Sequence, residues 1–73
     1  MSVVARLKVN GEPKEYSSDD FPANVTALIE SLALDPQLVV AEVNGDIVKR
    51  VDFSSKALAD GDVVEIVRFV GGG

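Results

Sequence analysis

Three consecutive glycines, Gly71-Gly72-Gly73, are the residues of this sequence best suited to chemistry. Read as the end of the chain, they present a carboxylate on a strip of bare backbone. Glycine has no Cβ and wide freedom of φ and ψ. Three extended residues reach about 10 Å. Such a strip can thread a channel too narrow for any side chain, which suits entry into another protein's site. The carboxylate is ionised at neutral pH and is a poor electrophile. To accept a nucleophile it must be activated, for example as an acyl-adenylate. The sequence has no Gly-Lys-Ser/Thr loop to cradle a nucleotide's phosphates, so a partner enzyme must do the activating. The plain alternative is a frayed end or an added linker.

The rest of the composition removes most other chemistry. The 73 residues include no cysteine and no histidine. Disulfides, thiolate metal sites, a cysteine nucleophile and a Ser-His-Asp triad are therefore excluded. No residues are expected to be catalytic, and no metal site is expected. Asp60 and Asp62 flank Gly61, but two carboxylates around a glycine are usually turn residues rather than ligands. Twelve acidic residues oppose seven basic ones, for a net charge of −5. Nucleic acid and anionic membrane are disfavoured partners, and a protein with a basic face is favoured. No apolar run approaches a membrane span and no signal-peptide pattern opens the sequence, so a cytoplasmic location is expected.

Several elements must position the glycines. Val3, Ala5, Leu7 and Val9 alternate with Val4, Arg6 and Lys8, which reads as a half-buried strand. Asn10-Gly11 is a strong signal for a type I′ hairpin. Glu12 to Tyr16 is the return strand, and Pro13 assigns it to a sheet edge. Either Asp20 or Asn24 can cap the helix that follows, and Asn24 is favoured. Val25, Leu28, Ile29 and Leu32 form one apolar stripe of that helix, which ends near Ala33. Asp35-Pro36 is a turn. Leu38 to Val43 is a strand, Asn44-Gly45 a second tight turn, and Ile47-Val48 a short strand. Lys49 to Leu58 has no clear period and reads as a crossing loop with one turn of helix. Asp60-Gly61-Asp62 turns into the longest strand, Val63 to Val70.

This order predicts a two-layer α+β domain over residues 1–70, with residues 71–73 as a flexible tail. The mixed sheet has four to five strands and one main helix. A right-handed crossover places the last strand parallel to the first, at the sheet centre. Along that last strand, Val64 and Ile66 are assigned to the core under the helix. Val67 and Phe69 then stand on the open face beside the tail, as candidate anchors for a partner. A strand buried on both faces, or a loop over Phe69, would remove them from that role. Arg68 either holds a partner's carboxylate or is a solvated charge at the strand end. Tyr16 is expected to pack at the sheet edge.

The stretches Val43-Asn44-Gly45-Asp46-Ile47-Val48-Lys49-Arg50 and Asp60 to Gly73 closely resemble the ThiS family of ubiquitin-like sulfur carriers, as does Val9-Asn10-Gly11. The similarity covers nearly the whole sequence, strongly from Val39 to Gly73 and weakly from Glu12 to Pro36. The resemblance implies a β-grasp fold and a carrier, not an enzyme. It implies that a ThiF-like adenylyltransferase uses ATP to adenylate Gly73, with Gly71 and Gly72 as supporting tail. A sulfur donor protein then converts the adenylate to a thiocarboxylate, and a ThiG-like thiazole synthase takes the sulfur for thiamine. No cofactor is bound stably, and the free carrier is a monomer. Two other functions compete. A molybdopterin-type carrier usually has a Pro-rich segment before its glycines, and Phe69-Val70 here does not. A protein modifier would join Gly73 to lysines of its targets.

Overall fold

In a computed structural model that describes residues 4–69, five strands form one mixed sheet with a single α-helix on one face. The strands are β1 (Val4–Val9), β2 (Glu12–Ser17), β3 (Val39–Val43), β4 (Asp46–Val48) and β5 (Val63–Arg68). Their order across the sheet is β2-β1-β5-β3-β4. β5 lies at the centre, parallel to β1 and antiparallel to β3. β2 lies at one edge, where the Pro13 nitrogen takes nothing from a ladder. This is the β-grasp arrangement that the sequence resemblance implies. Residues 1–3 and 70–73, and with them the expected strand positions Val3 and Val70, the domain boundary at 70 and the glycine tail, lie outside the described residues.

The helix α1 (Val25–Ser31) begins where Asn24 caps it: the Ala27 amide donates to Asn24 Oδ1 at 2.8 Å. Two further N-terminal amides donate to a distant loop, Val25 to the Lys56 carbonyl and Thr26 to the Phe53 carbonyl. The C-terminus closes by paired bonds from Ala33 to Glu30 and from Leu34 to Ile29. That pairing needs a left-handed residue, usually glycine, and here Ala33 takes it at φ 59°. The helix thus stops two residues before the expected end near Ala33. Val25, Leu28 and Ile29 are fully buried, and Leu32, the C-cap, is partly buried.

The core lies between helix and sheet. Leu7 and Val9 come from β1, Val39, Ala41 and Val43 from β3, and Val64 and Ile66 from β5. Among the described residues no polar side chain is buried. The segment 49–58 is the crossing loop with one turn of helix that the sequence implied, but it is also part of the core. It contains a 3-10 turn, Arg50–Asp52, and sends Phe53 and Leu58 into the core. Two isolated apolar residues have no period to announce them, so burial there is set by tertiary packing alone. Tyr16 packs edge-on against Phe21, with ring centroids 5.7 Å apart, and desolvation raises the pKa of its hydroxyl.

Candidate functional site: the last strand and the open sheet face

β5 is held at the centre by the turn at its start, by β3 along one side and by β1 along the first part of the other. At its start, the Asp60-Gly61-Asp62 turn has Gly61 at φ 91°, a conformation that favours glycine. The two aspartates serve that turn. Asp60 Oδ1 accepts from the Arg6 amide at 2.7 Å. Asp62 accepts from the Ala59 amide through one oxygen and from Asn44 Nδ2 through the other. Both carboxylates are therefore engaged in placing β5 against β1 and β3. On the β3 side, the register runs from Val43↔Val64 to Val39↔Arg68, and the Phe69 amide adds a bond to the Leu38 carbonyl at 2.8 Å. These bonds hold β5 in place as far as residue 69.

The alternation of β5 separates its residues as the sequence implied. Val64 is 0% and Ile66 is 6% exposed, under the helix. Val67 is 61% and Phe69 57% exposed, on the opposite, uncovered face. A central strand covered on both sides is therefore ruled out. Arg68 alternates onto the helix side but stands exposed at the strand end.

Register brings further residues to the open face that sequence reasoning did not single out. Val40 lies opposite Val67, Glu42 opposite Glu65, and Ile47 opposite Glu42. Val40 and Ile47 are exposed, and so is Leu38 next to Phe69. The signal for Val40 and Glu42 was available: they are the off-core positions of a strand whose alternate residues are Val39, Ala41 and Val43. What sequence could not supply was the pairing that sets them beside β5. The resulting surface has an apolar end, Val40, Val67, Phe69 and Leu38, next to the tail. Further along, Glu42 and Glu65 face one another on neighbouring strands. Like charges directly opposite are unfavourable within a sheet and favour a cation from outside. Among the described residues, the ion pair formed on the sheet is Arg6 with Glu15 at 2.8 Å, on the β1–β2 hairpin at the other side of β5.

Of the predicted site residues, Val67, Arg68 and Phe69 thus fall together at the exit of β5. Gly71, Gly72 and Gly73 lie outside the described residues. Among the described residues, no helix is long and apolar enough to cross a membrane.

Comparison with known proteins points one way. The family model described as "ThiS family" matches residues 7–73. The sulfur carrier protein ThiS of Bacillus subtilis is 34% identical over 67 residues, covering 92% of this chain and 98% of that protein. A thiazole synthase of Paramagnetospirillum magneticum is 38% identical over 68 residues. There the match covers 93% of this chain, and the chain spans only 20% of the longer protein's length. The crystal structure of a thiamine biosynthesis protein (ThiS) from Geobacter metallireducens superposes with a TM-score of 0.78 at 36% identity, covering 93% of this chain and 99% of that one. The solution structure of a thiamine biosynthesis protein from the same organism gives 0.76 at 36% identity, covering 93% and 87%.

Proposed function

This chain belongs to the ThiS family, and on that premise we propose that it is a sulfur carrier of thiamine biosynthesis that works through the carboxylate of Gly73. The observation that carries the reading is the family match running through residue 73 on a fold whose central strand leads straight into the glycines. The carrier supplies no catalysis of its own. A ThiF-like adenylyltransferase binds ATP, and the Gly73 carboxylate displaces pyrophosphate from it. Sulfide-level sulfur delivered by a donor protein then attacks the acyl carbon, the bond to AMP breaks, and a terminal thiocarboxylate is left. Thiocarboxylate sulfur is a better nucleophile than carboxylate oxygen, and a ThiG-like thiazole synthase consumes it. The absence of cysteine costs this chemistry nothing, because the sulfur is held on the main-chain carbonyl carbon.

The domain's part is to present and to be recognised. Residues 4–69 form the body that a partner recognises, and residues 71–73 serve as the strip of bare backbone that enters the partner's site. Val67 and Phe69 serve as apolar anchors for the adenylyltransferase, and Arg68 as an auxiliary charged contact. Val40 and Leu38 extend that apolar surface. Glu42 and Glu65, with the net charge of −5, match a partner face that carries cations. The carrier works in the cytoplasm and is a monomer when free. Likeness to one section of a longer thiazole synthase supports a ThiG-like partner, since carrier-like and synthase sequences share one chain there.

The test is fragment mass spectrometry after incubation with the adenylyltransferase, ATP and a sulfur source. Sulfur replacing oxygen raises the mass by almost the same amount as oxidation of Met1, so the gain must be located on a C-terminal fragment. A sulfur-sized gain at Gly73 is the expected result. An unmodified Gly73, with the enzyme active on another carrier, overturns the reading. Attachment of Gly73 to lysines of other proteins would identify a modifier instead.

A further inference from the structure

β5 is paired along its whole length on one side only. Its odd-numbered residues direct their backbone groups to β3, as Asn44 donating to the Val63 carbonyl and Phe69 donating to the Leu38 carbonyl show. Its even-numbered residues direct theirs to β1. There Lys8 donates to the Asp62 carbonyl and Asn10 to the Val64 carbonyl. The next rung is made by a side chain: the Ile66 amide donates to Asn10 Oδ1 at 2.7 Å. At this point β1 has already turned away, because Asn10 and Gly11 adopt φ 50° and 83°. The β1–β5 register accordingly stops at Val9↔Val64. Among the described residues, nothing on that side bonds to the Ile66 carbonyl or to the Arg68 amide and carbonyl. The sheet therefore has an inner edge, open over the second half of its central strand and immediately before the tail.

We propose that this half-open edge of β5, from the Ile66 carbonyl to Arg68, is where the adenylating partner adds an extended strand of its own. The inference rests on the carrier reading above. An open row of N–H and C=O groups is a template for a further strand. Backbone pairing gives affinity in such strand addition, and flanking side chains give specificity. The exposed Val67 and Phe69 stand on the face beside the edge, continuous with the proposed apolar anchors. Glycines offer a partner no side chain to grip, so backbone hydrogen bonds are the means by which a glycine tail can be held. A ladder begun at Arg68 starts three positions before Gly71, close in sequence to the residues that must reach the nucleotide. The Asn10-Gly11 turn makes this possible by ending β1 halfway along β5.

Two measurements test it. The first is hydrogen exchange at the Arg68 amide of the full chain, free and bound to the adenylyltransferase. Exchange at least about tenfold slower in the complex is expected, since the amide gains a hydrogen bond there. The second compares Arg68→Pro with Arg68→Ala. Both lack the guanidinium, but only proline lacks the amide hydrogen, and no bond within the described chain uses that hydrogen. Arg68→Pro should bind the enzyme about tenfold more weakly than Arg68→Ala and load sulfur correspondingly more slowly. An Arg68 amide that exchanges as fast in the complex as in the free chain overturns the proposal, whether or not the proline variant folds. Equal loading of a folded Arg68→Pro and of Arg68→Ala also overturns it, and leaves the carrier reading standing. Failure of the unmodified chain to acquire sulfur at Gly73 overturns both.

Discussion

The molecule contains the dipeptide Asn-Gly twice, and the two copies do opposite things to the same strand. Asn10-Gly11 and Asn44-Gly45 each close a hairpin with nearly the same dihedrals, φ 50° and 83° in one and 52° and 88° in the other. Each asparagine also sends its side chain to β5. Asn44 accepts from the Val63 amide at 2.9 Å and donates to Asp62, at the start of the strand. Beyond it the β3 ladder runs the full length of β5. Asn10 accepts from the Ile66 amide in the middle of the strand, and the β1 ladder ends there. One turn opens a complete pairing and the other terminates an incomplete one. Local conformation is the same in both. What differs is where along the central strand the turn falls, and that position decides whether the edge beyond it is closed.

Variants can break this comparison or sharpen it. The largest effect is expected at the strand both turns serve: Ile66→Ala should lower unfolding free energy by about 2–5 kcal/mol in denaturant titration. A much smaller loss would mean that β5 does not organise the core. Asn44→Ala removes two hydrogen bonds and leaves alanine at φ 52°, so about 2–3 kcal/mol is expected. Asn10→Ala removes one, strands the Ile66 amide and leaves alanine at the equivalent φ of 50°, for about 1.5–2.5 kcal/mol. If Asn10→Ala proved the costlier of the two, the number of side-chain hydrogen bonds would not be what ranks the turns. On the open face, Phe69→Ala should weaken binding to the adenylyltransferase by about 1–2 kcal/mol in calorimetry and leave the melting temperature nearly unchanged. Unaltered binding would remove Phe69 from the interface. The smallest change concerns Ala33, left-handed like the two asparagines but with no side chain to compensate. Ala33→Gly should raise stability by about 1 kcal/mol. No gain would show that the helix end relaxes rather than holding strained alanine.

The same comparison shows what the amino-acid sequence reveals and what it withholds. Both turns, the Asn24 cap, the helix stripe and the parallel placement of β5 beside β1 were readable, because each depends on neighbours within a few residues or on a chirality rule. Phe53 and Leu58 were not, since a loop without periodicity gives no sign of which residues it buries. The open face was half legible. Alternation placed Val67 and Phe69 on it, whereas Val40, Glu42 and Ile47 joined them only through the register of β3 with β5 and β4. The inner edge was invisible, because Asn10 reads as a turn residue and nothing local shows its side chain 56 positions away at Ile66.

The central strand is also the last of the five to be synthesised. Before residues 63–68 emerge, the chain holds two separate hairpins, β1–β2 and β3–β4, with no strand between them. A two-stranded hairpin alone is marginal in water. The sheet can therefore close only in a late, long-range step that joins residues about 55 positions apart, which makes for slow folding in so small a chain. A truncation before β5 would leave two unjoined halves rather than a smaller domain. On the ribosome, an ordered carrier and the start of its tail become available within a few residues of one another.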